Sequence, residues 1–463
     1  MDSGKNWWTR PCGGVEVLRM AIPLIISAGS ISLMNFTDRL FLNAVSTEAM
    51  TASFQAGMFF WTIVSLPVAI AAYTNSFVAQ YYGSNNHHRI GPVVWQGVGF
   101  GLITMPFLVA LEPYCGEVFA FFKHEPSLIP LEQSYLRIVI YGSGATIASE
   151  AAASFFYGRG KMHVVMVVNI FCVFLNVLLD YLWIFGYGGF PAWGLEGAAA
   201  ATAVSQWCRL LLFIGLMYMT DREDRQYCIW SGMNPDFPLF GRLIYYGIGS
   251  GVHISTDTAC FAVFVMLLGG LSENARDATT IAFTLNNFTF MPLVGTGIAV
   301  STLVGNKLGY NKPELAERAT ITAVILGSSY TSLFGLVFIF CPDLMLFAFK
   351  TGEFDRIHDL TVHLLQFVAV YLLFDGFSII FSSAIKGAGD TWFVLWTTLV
   401  LAPFAPLFSY VGIAWFGLGV YWCWLVLTLW VIVSGVIFLL RFRGGKWQQM
   451  RVIEKDLLST EKM

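Results

Sequence analysis

Between Asp390 and Arg441 lie about 50 consecutive residues without one charged side chain. A helix that crosses a bilayer needs about 20 apolar residues, so this stretch alone holds two spans. No other feature narrows the fold as much. In hydrocarbon every backbone N–H and C=O must find its partner within the protein, which leaves helices or a closed barrel. The apolar runs of this chain are too long and too continuous for the alternating strands of a barrel, roughly ten residues each. The chain is therefore expected to be an all-α membrane protein.

Reading apolar runs between polar breaks places twelve spans near residues 17–43, 50–80, 90–111, 133–157, 163–186, 194–219, 239–269, 277–305, 315–340, 357–385, 392–414 and 418–441. Charged residues make up only 12% of the 463 residues and concentrate in the breaks. The polar segment from Met1 to Gly14 leads into a long apolar run with no small-residue cleavage site, so that run reads as the first span. If Met1 is cytoplasmic, inner loops and tails carry about 19 Lys/Arg against about 5 in the outer loops. The inner set includes Lys5, Arg10, Arg89, Arg159, Lys161, Arg222, Arg225, Lys307, Lys312, Lys386 and the Arg441–Lys462 tail; the outer loops carry Glu112, Glu117, Asp343 and Glu353. Both termini are then cytoplasmic, and the protein is a multi-pass plasma-membrane protein.

Several function classes fall away. No basic groove with interleaved aromatics appears, so nucleic acid is not a partner. The eight cysteines form no CxxC pair and no zinc spacing, so neither a disulfide framework nor a metal site is expected. There is no GxxxxGK[ST], no HExxH and no GxSxG, which argues against an ATP-driven engine and against an intramembrane enzyme.

The halves repeat. FVAQYYGSNNHHR (77–89) recurs as LVGNKLGYNKPE (303–314), FYGRGK (156–161) as IKGAGD (385–390), and GLEG (194–197) as GLGV (417–420). The offsets are about 226, 229 and 223 residues, which implies two six-helix lobes related by a pseudo-two-fold axis along the membrane normal. The expected division is an N-lobe over 1–220, a cytoplasmic linker over 221–238, a C-lobe over 239–441 and a cytoplasmic tail over 442–463. Such repeats place a substrate site near the bilayer midplane.

Four aspartates sit inside spans: Asp38, Asp180, Asp257 and Asp375. A carboxylate at that depth costs several kcal/mol and usually marks an ion or substrate pathway. Asn176 and Asp180 are four apart and share a helix face. With Asp38 and Thr202 they offer four oxygen-bearing side chains for Na+, or a carboxyl pair for H+. The alternative is that Asn176 and Thr202 only join helices by hydrogen bonds. Tyr371 and Asp375 share a face in the same way, and an acidic cavity lined by aromatics such as Phe288 and Phe290 attracts organic cations. Glu150 is either a fifth pathway carboxylate or the partner of Arg159 or Arg209. Arg39 points away from Asp38 and pairs elsewhere. His163, His253 and His363 read as interfacial residues near span ends, and Pro23, Pro67, Pro292, Pro403 and Pro406 fall inside spans.

Five segments resemble the MATE (multidrug and toxic compound extrusion) family: MNFTDRLFL (34–42), VAQYYGSN (78–85), NVLLDYLWIFGYGGFPAWGLEGAAAATAVSQW (176–207), VSTLVGNKLGYNKPELAERA (300–319) and SSAIKGAGDT (382–391). The resemblance, closest to the NorM branch, covers nearly the whole chain. It implies a monomeric antiporter, not an enzyme, that exports organic cations or drugs against Na+ or H+ and needs no cofactor beyond that ion. It matches Asp38, Asn176, Asp180 and Thr202 to the family's N-lobe cation site. It matches Asp257, Tyr371 and Asp375 to the C-lobe positions for cation or substrate, with Asp257 where that branch usually has Glu. The competing transport reading is a flippase for a lipid-linked oligosaccharide, whose anionic head group would call for Arg and Lys rather than carboxylates.

Overall fold

Asn85 and Asn311 stand at equivalent places in the first repeated motif, and both adopt left-handed backbone, with φ of 59° and 54°. Gly160 and Gly389 (72° and 113°) match in the second motif, and Gly194 and Gly417 (55° and 62°) in the third. Glycine takes this region freely and Asn tolerates it better than most residues, so the first two motifs turn the chain out of a helix in the same way in both halves. The third pair differs, since Gly194 caps the start of the Leu195–Asp224 helix and Gly417 the end of the Phe404–Phe416 helix. For the first two motifs the repeat seen in the sequence is thus a repeat of backbone conformation.

The computed structural model describes residues 7–121, 124–347 and 356–454. Lys5, Glu353 and the end of the basic tail beyond residue 454 lie outside the described residues. The described residues are helical throughout, with no strand. In chain order the helices are α1 (Gly14–Val45), α2 (Thr47–Ala72), α3 (Thr74–Gly83), α4 (Ile90–Leu111), α5 (Cys115–Phe121), α6 (Ile129–Val139), α7 (Ser143–Tyr157), α8 (Met162–Phe185) and α9 (Leu195–Asp224). They continue with α10 (Phe237–Gly269), α11 (Glu273–Gly309), α12 (Pro313–Phe340), α13 (Pro342–Leu346), α14 (His358–Ala388), α15 (Thr391–Leu401), α16 (Phe404–Phe416) and α17 (Val420–Arg443). Ser46 and Ser272 cap α2 and α11 by accepting from Ala49 N at 3.0 Å and Ala275 N at 3.1 Å.

Among the described residues, eleven helices or nearly continuous helical runs are long and apolar enough to cross a bilayer. The twelfth expected span, near 133–157, is built differently. α6, a single 3-10 turn over Ile140–Gly142 and α7 form one run from Ile129 to Tyr157. At 1.5 Å per residue it measures about 43 Å, enough to cross. It is rich in Gly, Ala and Ser because α7 is buried in protein on nearly every side and has little lipid to face. Span two is broken at Tyr73 between α2 and α3, and span eleven at Ala402 and Pro403 between α15 and α16.

Two compact units emerge, Ile26–Gly251 and Val252–Met463 together with Met1–Ile25. Their boundaries fall inside α1 and α10. In the 26–251 unit α4 lies against α7. A Cβ on Gly101 would come within 2.5 Å of Ala148 N, and one on Gly97 within 2.7 Å of the Ala151 side chain, so glycine sets this close approach. In the other unit α14 packs against α11, α12 and α17.

The polar stretch read as the inter-lobe linker is packed within the 26–251 unit. Gly91 N donates to Tyr227 O at 2.9 Å, Trp95 Nε1 to Ile229 O at 2.7 Å, and Arg89 Nη1 to Asp236 Oδ2 at 3.1 Å. Tyr227 and Ile229 are buried. The lead-in to α1 is tied down too. Thr322 Oγ1 donates to Cys12 O at 2.9 Å, and burial pushes the Cys12 thiol up to about 11.

Candidate functional site

α8 carries Asn176 and Asp180 one turn apart on its inner face, both fully buried. Asp38 reaches them from α1, and its carboxyl faces that of Asp180. Thr202 on α9 and Tyr135 on α6 complete the cluster. The Tyr135 hydroxyl faces the Thr202 side chain and lies beside both carboxyls. The four N-lobe residues singled out in the sequence therefore come together within one unit. Tyr135 is the member that sequence reasoning missed; it sits in the least apolar span, and no spacing relation links it to residues on other helices.

The polar atoms of this cluster are largely orphaned. Asp38 Oδ1, both Asp180 oxygens and both amide atoms of Asn176 are buried with no hydrogen-bond partner. A buried polar atom without a partner costs about 1–3 kcal/mol, more when charged. Two adjoining carboxyls cannot both stay ionised in a dry site unless a cation stands between them, and otherwise they share a proton. Carboxyl, amide and hydroxyl oxygens are the donor set a hard cation requires. The cluster fits either H+ or Na+.

A second acidic cluster lies in the other unit. α14 presents Tyr371, buried, beside Asp375. Asp257 on α10 is an electrostatic neighbour of Asp375. His253, one turn before Asp257, places Nε2 3.5 Å from Asp257 Oδ2. His253 is thus not interfacial: α10 runs from Phe237 to Gly269 and His253 sits at its middle. His163 lies in the first turn of α8 and His363 in the second turn of α14. Lys386, counted with the inner loop charges, belongs to the last turn of α14 and acts on both Asp257 and His253. The cluster is two carboxyls, one ammonium, one imidazole and one phenol.

Other charges find structural partners. Glu150 Oε1 accepts from Arg209 Nη2 at 2.7 Å. The Arg159 guanidinium stacks over Phe155 and Tyr227, 4.5 Å and 4.2 Å from the ring centres. Arg39 lies 4.6 Å over the Phe54 ring. Phe288 is 68% exposed, and Phe290 is partly buried.

Comparison with known proteins shows the family and the fold. The MatE family model matches residues 23–182 and 250–411, one segment in each half at the repeat offset. The probable multidrug resistance protein NorM of Thermotoga maritima is 24% identical over 452 residues, 95% of this chain and 94% of that protein. The multidrug resistance protein NorM of Burkholderia vietnamiensis is 27% identical over 390 residues, 81% of this chain and 82% of that protein. A solved outward-facing multidrug resistance MATE family transporter of the MOP superfamily superimposes with a TM-score of 0.84 at 19% identity, covering 94% of this chain and 96% of its own. At that identity the superposition shows a shared fold.

Proposed function

The chain belongs to the MatE family of transporters, and from that premise we propose that it is a secondary-active efflux antiporter exporting organic cations in exchange for Na+ or H+ by alternating access. The observation that carries the reading is the Asp38–Asp180 carboxyl pair with its orphaned polar atoms. Such a pair is costly alone and is relieved by one positive charge, which is what an ion-coupled cycle must bind and release. Asp38, Tyr135, Asn176, Asp180 and Thr202 hold that ion. Asp257, Tyr371 and Asp375 receive the cationic substrate or a further cation. The names of the NorM relatives, multidrug resistance proteins, support drugs as the cargo. The first cluster holds two carboxyls and no base, and the second adds two carboxyls beside one lysine and one histidine, which favours cationic cargo over the anionic head group of a lipid-linked oligosaccharide.

Everted membrane vesicles given a fluorescent organic cation in the medium test this reading, by its uptake into the lumen under separately imposed Na+ and pH gradients. One of the two gradients is expected to drive transport, and Asp180→Asn to uncouple it. Transport indifferent to both gradients overturns antiport.

The charge bias favours both termini in the cytoplasm of a plasma-membrane protein, and the family resemblance favours a monomer. Cys228, half-buried in the packed 225–236 segment, reports on that orientation. An impermeant thiol reagent is expected to spare it in intact cells and to label it in inside-out vesicles. Labelling from outside reverses the topology and with it the direction of transport.

A further inference from the structure

Arg209 is the hub of a second buried polar chain in the 26–251 unit. Its Nη2 donates to Glu150 Oε1 on α7 at 2.7 Å, and its Nε donates to Asn169 Oδ1 on α8 at 2.9 Å. Asn169 Nδ2 in turn donates to Ser27 Oγ on α1 at 2.7 Å. Ser27 and Asn169 are both buried. The chain therefore starts at a charge on α9 and ends on the helix that carries Asp38.

Its last rung is in register with the ion cluster. Ser27 precedes Asp38 by 11 residues, and Asn169 precedes Asp180 by 11 residues. Eleven helical residues make about three turns, a rise of about 16 Å, and return to within about 20° of the same face. α1 and α8 thus run parallel and meet at two polar rungs on one seam. No proline lies between the rungs on either helix. The Ser27–Asn169 rung has its hydrogen bond made; the Asp38–Asp180 rung consists of orphaned atoms. A slip of one residue along a helix moves a side chain by about 1.5 Å and turns it by about 100°. Whatever fixes the register at the first rung therefore fixes how the two carboxyls face each other at the second.

We propose that Ser27, Asn169 and Arg209 are positioning residues for ion coupling, locking α1 onto α8 in the register that sets Asp38 against Asp180. Glu150 anchors the Arg209 guanidinium that orients Asn169. The proposal rests on the reading of the Asp38–Asp180 cluster as the ion site. A chain that merely neutralised a buried charge pair would matter for stability and leave ion affinity alone.

The test is thermal unfolding of the purified full chain in detergent, titrated with Na+ at fixed pH and with pH in the absence of Na+. Wild type, Asp180→Asn, Ser27→Ala, Ser27→Thr and Asn169→Ala are compared. The wild type is expected to gain melting temperature with one of the two ions, and Asp180→Asn to lose that gain. Ser27→Ala and Asn169→Ala are expected to keep the gain but need about tenfold more ion to reach its midpoint, as when the support of an ion ligand is removed. Ser27→Thr, which retains the hydroxyl, is expected to restore the wild-type midpoint. Lower melting temperatures with an unchanged midpoint overturn the positioning role while leaving the ion site intact. A wild type that responds to neither ion overturns the ion-site reading and this inference with it.

Discussion

Asp375→Asn is expected to abolish export of cationic dyes while the chain still inserts at normal abundance. Asn has nearly the shape of Asp, so packing around Tyr371 and α14 is kept. What changes is charge. In this cluster Lys386 acts on Asp257, while Asp375 lies near the Asp257 carboxyl and so is the carboxyl that an incoming cation relieves. A cation 4 Å from a carboxylate gains about 4 kcal/mol at an effective dielectric of 20, close to a thousandfold in binding. Removing that attraction lowers dye export below detection in a resistance assay or in vesicles. Wild-type dye resistance in Asp375→Asn refutes the assignment of this cluster to substrate. Asp257→Glu, which lengthens the side chain and keeps its charge, is expected to retain export.

Arg209→Met is expected to destabilise the protein by about 3–5 kcal/mol, because it strands the Glu150 carboxylate and takes the donor from Asn169. Thermal unfolding in detergent reads this as a large drop in melting temperature and poor yield. The double variant Arg209→Met with Glu150→Leu removes both charges and is expected to recover most of the loss. A single variant that melts like wild type would mean that water or lipid head groups already solvate Glu150.

Helices were legible in the sequence because lipid leaves the backbone no alternative, and the repeat was legible because Asn85 and Asn311 must turn the chain in the same way. The four N-lobe site residues were legible because two of them share one face of α8 and the others are polar groups in apolar runs. Tyr135 was not, since its partnership with Thr202 crosses from α6 to α9 and leaves no trace in spacing. His253 was misread although the expected 239–269 span already centres on it: the polarity of the ring was followed rather than its position in the helix. The segment around Cys228 was read as a linker from its composition, which gives no sign of how it packs. Tyr227 and Ile229 are its buried anchors, and two apolar residues in a polar run give no periodic signal.

The interior setting of α6 and α7 bears on how the chain enters the bilayer in the first place. A segment handed to the insertion machinery alone is judged by its own apolarity, and Arg and acidic residues each count against it by up to about 3 kcal/mol near the middle of a helix. The Ile129–Tyr157 run carries Glu132, Arg137 and Glu150 among small residues that contribute little in return. Its favourable surroundings are protein: the glycine face of α4, the Arg209 charge on α9 and the flank of α8. Two of those three are synthesised after it. This span can therefore settle only once later helices have arrived, so that the order of assembly in the membrane departs from the order of synthesis.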